Sequence, residues 1–168
     1  IGPCSGAIGQ LEAVRRSITA IGAVATVARD RLSGSHTVFD MPDGFDAYLR
    51  SLSKNHRANY RRNLNKLSKT FKFDVDVVRD PCTLESEFAA FVEMHQEQWK
   101  AVNKLGHFGD WPGSREFALD LVRTLAQTDR VRLIRLLADD QVVAYYWCLR
   151  ENGTYYWRLP ARVTGKEW

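Results

Sequence analysis

Cysteine is scarce in this 168-residue chain: there are three, Cys4, Cys82 and Cys148. They are too few and too scattered for a disulfide framework, and no pair has zinc-ligand spacing. A reducing, cytoplasmic setting is the default that follows. Long apolar runs are also missing. The longest uncharged stretch near the N-terminus, Ser17–Ala28, has 12 residues, where a membrane span takes about 20. It follows Arg15-Arg16, as a signal peptide's apolar region would, yet Gly22 and Thr26 interrupt it and it lies well inside the chain. No G-x-S-x-G, Walker loop, H-E-x-x-H or serine–histidine–aspartate order occurs, so hydrolase and NTPase readings find no support. Repeats and low-complexity stretches are absent too. With 45% hydrophobic and 26% charged residues, a wholly disordered or collagen-like chain is excluded.

Acid is missing from one long segment. Between Ala47 and Phe73 there is no Asp or Glu, while Arg50, Lys54, Arg57, Arg61, Arg62, Lys66, Lys69 and Lys72 all fall there. The formal net charge is +4, so the rest of the chain is net negative. The basic character therefore belongs to one segment.

Apolar spacing supplies the elements. Leu11, Val14, Ile18 and Ile21 predict a helix, with strands over Ala23–Ala28 and Thr37–Phe39 after it. Pro42-Asp43 opens a helix with Phe45, Tyr48, Leu49 and Leu52 on one face. A second helix over Asn55–Lys69 carries Tyr60, Leu64, Leu67 and Phe71 at offsets 0, 4, 7 and 11. Alternation over Phe71–Val77 predicts a strand that Pro81 closes. Thr83 is placed to cap a third helix with Leu84, Phe88, Phe91, His95, Trp99 and Val102 on one face. A Gly-rich loop around Gly106 and Gly109–Gly113 follows, and Ser114 is placed to cap a fourth helix. Three strands end the chain: Val131–Ala138, Val142–Arg150 and Thr154–Leu159, joined by tight turns at Asp139-Asp140 and Asn152-Gly153. Helices with one strand, then a meander, read as an α/β or α+β domain over residues 41–168. Residues 1–40 are either part of it or the end of a preceding domain.

Several groups have the chemistry for a site. Arg57, Arg61, Asn65 and Lys69 share one helix face away from the apolar stripe. Such a face meets phosphates or a polyanion, and Arg61 and Arg62 can each fork onto a phosphate or carboxylate. A solvated surface helix has the same pattern. Without a helix-turn-helix, RNP or finger motif, sequence-specific reading of nucleic acid is not expected. His95 and Trp99 lie one helical turn apart on a buried face. A histidine there suits a general base for an amine, and it equally suits a hydrogen-bonded core. His107 is a further candidate. Among the meander aromatics, Tyr145 and Tyr146 point to opposite faces, and a tyrosine such as Tyr156 can protonate a leaving group. Pro160 lacks an N–H, so pairing is expected to stop at Leu159. The opened strand would then offer unpaired backbone donors to a carbonyl oxygen.

These segments resemble a known family. FDAYLRSLSKNHRANYRRNLNKL at 45–67, FVEMHQEQW at 91–99 and VRLIRLLADDQVVAYYWCLRENGTYYWRL at 131–159 are similar to motifs of FemAB-like, CelD-type acyltransferases of the GNAT superfamily. The resemblance runs from about Asp40 to the end. It implies a mixed, mostly antiparallel sheet flanked by helices, and transfer of an acyl group from acyl-CoA to an amine, in polysaccharide or cell-envelope biosynthesis. No metal is expected, since neither His95 nor His107 has a cysteine or second histidine at ligand spacing. His95 and Tyr156 become the catalytic candidates, base and acid. Leu159, Arg162 and Gly165 become the cofactor-binding candidates, since Arg162–Glu167 begins like the R-x-x-G-x-G/A loop, with Glu167 at its last small position. Arg57, Arg61, Arg62, Trp99 and Tyr146 are left as substrate-binding candidates. A chain that opens on Ile1 and breaks off at Trp168 is expected to be a fragment whose pyrophosphate-binding helix lies beyond it. Two other readings stand beside this one. An aminoacyl-tRNA-dependent transferase of the same fold would use the basic helix for RNA, and a non-catalytic module would use it for a polyanion.

Overall fold

The computed structural model describes Arg16, Phe39, Met41 and residues 43–165. Apart from Arg16 and Phe39, the helix and strands expected over residues 11–39 lie outside the described residues, as does Glu167. The chain divides into two units, residues 1–52 and 53–168. In the first, helix α1 (Gly44–Ser51) carries Phe45 and Tyr48. Tyr48 meets Phe45 and Phe39 at ring-centroid distances of 6.1 and 5.8 Å.

The second unit opens on α2 (Lys54–Thr70), where the Ser53 side chain accepts the His56 N–H at 3.3 Å. No residue of α2 is buried. After it come β1 (Phe73–Val78), α3 (Pro81–Lys100), α4 (Ser114–Ala126), β2 (Val131–Ala138), β3 (Gln141–Glu151) and β4 (Thr154–Arg162). The strands lie in chain order, β1-β2-β3-β4, each antiparallel to the next. Over the described residues the expected mixed sheet is therefore antiparallel throughout. Short turns suffice for such a meander. Asp139, Asp140 and Asn152 take positive φ, and Gly153 joins them, which is the conformation tight hairpin turns require.

Strand alternation sorts the sheet into two faces. Val78, Leu133, Tyr145, Trp147 and Ala161 face α3 and α4, where they join Phe88, Phe91, Phe108, Ala118 and Val122 in one core. The opposite face carries Val75, Val77, Tyr146 and Trp157, all exposed. Helix α3 faces the core with Leu84, Phe88, Phe91, Val92 and His95, the i, i+4, i+7, i+8, i+11 stripe of an amphipathic helix. Its cap is Asp80 and not Thr83. The Asp80 carboxylate accepts the Thr83 N–H at 3.1 Å, and Pro81 takes the first turn, where its missing N–H costs nothing. The helix ends at Lys100, so Val102 leaves the stripe and is exposed. Gly113, at φ 84°, is the N-cap of α4; Ser114 begins that helix with its hydroxyl buried.

One polar network ties the core-facing side of the sheet to α3. Arg135 on β2 pairs with Asp76 on β1 and, at 2.7 Å, with Glu87 on α3. The Tyr145 hydroxyl on β3 donates to the second Glu87 oxygen at 2.9 Å. Burial and this bond push the tyrosine's pKa far up, so it stays a donor.

Candidate active site

The last turns of α3, the loop 101–113 and the end of β4 meet around His95. The imidazole is buried, 1% exposed, and both ring nitrogens are engaged. Nδ1 lies 2.9 Å from the Pro160 carbonyl oxygen on β4. A carbonyl only accepts, so Nδ1 carries the proton. Nε2 then faces Nδ1 of His107 at 3.2 Å and the His107 backbone N–H at 3.5 Å. Burial lowers the His95 pKa below its usual 6.5. The Pro160 bond opposes this shift, His107 adds to it, and Asp110 opposes it more weakly. The ring is therefore neutral at pH 7. Trp99 walls the pair, with ring centroids 6.0 Å from His95 and 5.6 Å from His107, and Lys104 stands over the indole at 5.4 Å. His107 itself is exposed.

The loop reaches this position through Gly106. Its φ is 70°, and a Cβ there would collide with the Gln96 side chain and press on Trp99 at 3.2 Å. Any other residue would be strained at this φ and would have to displace the Gln96 side chain and press on Trp99, so glycine suits this approach of the loop to α3.

The strand does not open where Pro160 was expected to open it. Pairing runs on through Tyr146↔Pro160, Tyr145↔Ala161 and Ala144↔Arg162, and Val163 still donates to the Val143 carbonyl at 2.9 Å. The irregularity lies earlier, as a register shift opposite Trp147 and Cys148 that absorbs the extra residue Arg158. Nor does this end of β4 offer free backbone donors. Pro160 has no N–H, its carbonyl is taken by His95, and the Arg162 N–H donates to the Gln98 side chain at 3.0 Å. Side chains of α3 thus satisfy the edge.

The structure brings His95, Trp99 and the β4 segment holding Leu159 and Arg162 together. Tyr146 is level with Pro160 in the sheet but on the exposed face, where it meets Trp157 at 4.8 Å. Tyr156 stands beside Leu149 in register. It is four residues up the strand from Pro160, about 13 Å at 3.3 Å per residue. Tyr156 is therefore not brought to the histidines. Arg57, Arg61 and Arg62 stay on α2, which contributes nothing to this cluster. Arg162 and Gly165 are exposed at the strand's end. The sequence pointed to His95 through its helical stripe. It gave less weight to His107, because a loop histidine has no periodic partner to mark it. Among the described residues no group of three or more His, Cys, Asp or Glu could hold a metal ion, and no helix is long and apolar enough to cross a membrane.

A separate open concavity is lined by Arg79, Asp129, Arg132, Arg150 and Tyr155. Its charges are largely spent internally: Asp129 pairs with Arg132 at 2.7 Å and Arg150 at 3.1 Å.

Because folding lowers the His95 pKa, the unfolded chain binds this proton more readily. The neutral imidazole's contribution to stability is complete above about pH 6.5 and is lost as pH falls below it. Unfolding midpoints measured between pH 7 and 5 should decline, and His95→Phe should flatten part of that decline.

The sequence model of one protein family, described as an acetyltransferase (GNAT) domain, matches residues 54–163. Comparison with curated proteins and with solved structures found no match.

Proposed function

Because this chain belongs to the acetyltransferase (GNAT) domain family, we propose that it is an N-acyltransferase of the FemAB-like, CelD type. It moves an acyl group from acyl-CoA to an amine acceptor in polysaccharide or cell-envelope biosynthesis. The observation that carries this reading is the neutral, oriented histidine at the end of β4, in contact with an exposed loop histidine. Amine attack on a thioester needs an acceptor for the ammonium proton, and a hydrogen-bonded pair of imidazoles that ends on an exposed loop histidine suits that task. Acyl-CoA brings the activated acyl group; the exposed Arg162 guanidinium and the Gly165 backbone are the groups of this chain that would hold its phosphates. The acceptor lies against the loop 101–113, with Trp99 as a wall.

The test is thiol release from a panel of acyl-CoAs with amino sugars and other amines as acceptors. Release should depend on the acceptor. His95→Phe should lower kcat about 100-fold, the scale of lost acid–base catalysis. Tyr156→Phe should stay within about 2-fold, since general acid–base groups must lie within hydrogen-bond reach of the proton they move. If no donor and acceptor pair gives acceptor-dependent release, this reading is wrong.

A second role is supported by α2. Lys54, Arg57, Arg61, Arg62, Lys66 and Lys69 sit on a helix without a buried residue or an acid. It contacts a polyanion, either beside catalysis or as an aminoacyl-tRNA donor's docking face. Retention on a polyanionic resin should fall steeply with salt. Replacing Arg61, Arg62 and Lys66 together by Ser should bring the elution down to markedly lower salt.

A further inference from the structure

His107 and His95 differ in a way that divides their labour. His95 is buried and spends both nitrogens inside the protein. Its Nδ1–H is fixed by the Pro160 carbonyl, so its Nε2 is a bare acceptor. That acceptor points at Nδ1 of His107, 3.2 Å away. Two lone pairs do not face each other at that distance, so His107 Nδ1 carries a proton too. The other His107 nitrogen, Nε2, is then bare, on an exposed residue of the loop. One tautomer thus dictates the next, from the strand carbonyl outward.

We infer that His107 is the catalytic base of the transfer and that His95 is its positioning residue. This rests on the acyltransfer reading above. In the step, the amine lone pair forms the C–N bond and the C–S pair leaves with sulfur as thiolate. The ammonium proton passes to Nε2 of His107. His107 then returns that proton to water, and the thiolate takes one from water. Protonated His107 donates a charge-assisted bond from Nδ1 to Nε2 of His95, stronger than the neutral bond it replaces. Through its own bond to Pro160, His95 is polarised to accept it. His95 cannot take the amine proton itself, because its only basic nitrogen is turned toward His107. The charged neighbours are Asp110 in the same loop, whose field favours a cation at His95, and Lys104, also in that loop, whose ammonium over Trp99 opposes one.

Exposure against burial makes the two roles separable. His107→Ala should lose about 100- to 1,000-fold in kcat and fold normally, since the residue is on the surface. Added imidazole should restore part of that loss by occupying the vacated, solvent-open position. In His95→Phe, which keeps a ring in the core, imidazole should restore nothing. Nitrogen-15 NMR of the wild-type chain at alkaline pH should show both His95 and His107 protonated at Nδ1. In His95→Phe the lock on His107 is gone, and it should populate both tautomers. A His107→Ala variant that keeps wild-type kcat in an active enzyme would overturn the assignment while leaving acyl transfer standing. So would NMR showing His107 protonated at Nε2, which is readable without any substrate. Wild-type protein inactive with every donor would instead remove the acyltransfer reading itself, and the catalytic role with it.

Discussion

Phe91→Ala lowers the free energy of unfolding by about 3–5 kcal/mol, the range for deleting a fully buried aromatic. Phe91 is 0% exposed. Its ring lies 5.3 Å from Phe88, 5.7 Å from Phe108 and 6.2 Å from both Tyr145 and Trp147. It therefore joins α3 to the loop and to β3 at once. Rings on three elements cannot all move into the vacated space, so a cavity remains and adds to the lost transfer energy. The ring also lies 5.9 Å from His95, so the variant should lose catalytic rate beyond what its folded fraction explains. Urea denaturation followed by tryptophan fluorescence measures the first effect. A loss below about 1 kcal/mol would mean that the core closes over the gap, contrary to this packing.

Arg135→Met should destabilise by about 2–3 kcal/mol, somewhat less than the loss for a fully buried pair. Removing the guanidinium leaves Glu87 on α3 and Asp76 on β1 without the counter-charge they share. The discount reflects solvent: the side chains of Arg135, Glu87 and Asp76 are 21%, 25% and 45% exposed, so water screens part of the repulsion. A second substitution, Glu87→Gln, should return part of the loss, because it removes one of the stranded charges and still leaves Tyr145 an oxygen to bond. A double-mutant cycle reads that coupling directly. Acid titration gives another handle. The Arg135 hydrogen bond holds the Asp76 carboxyl below its ordinary 3.8. The stability from that pair is present above about pH 3.8 and is lost as pH falls through the lowered folded value. The Met variant should be less sensitive there.

Much of this arrangement was legible in the sequence because periodicity writes it plainly. The stripe from Leu84 to His95 named the buried face of α3, and the two Asp- and Gly-bearing turns fixed the meander. The caps were misread by a few residues. Asp80 and Gly113 hold the N-cap positions expected of Thr83 and Ser114, and only Asp80 caps with its side chain; a cap depends on which backbone turn the helix starts from, and residue type alone does not reveal that. Pro160 misled for a subtler reason. A proline does end ladder pairing when its missing N–H would face the neighbouring strand. Here the vacancy faces outward, toward α3, so pairing with β3 loses nothing. Which way a residue faces depends on register, and the extra residue at Arg158 resets that register. The histidine pair was only half visible, because the contact between His95 and His107 is made by a glycine-permitted loop path that spacing cannot encode.

The bond between His95 and Pro160 joins residues 65 positions apart. During synthesis, α3 emerges long before the strand that orients its histidine. At about 5–20 residues per second, Pro160 follows roughly 3–13 s later. Until then the imidazole has no carbonyl to fix its tautomer, and the loop histidine has no fixed acceptor. A nascent chain can thus hold a formed helix and a largely formed core while the His95–His107 pair is not yet oriented. The last described strand is what completes the orientation of this pair.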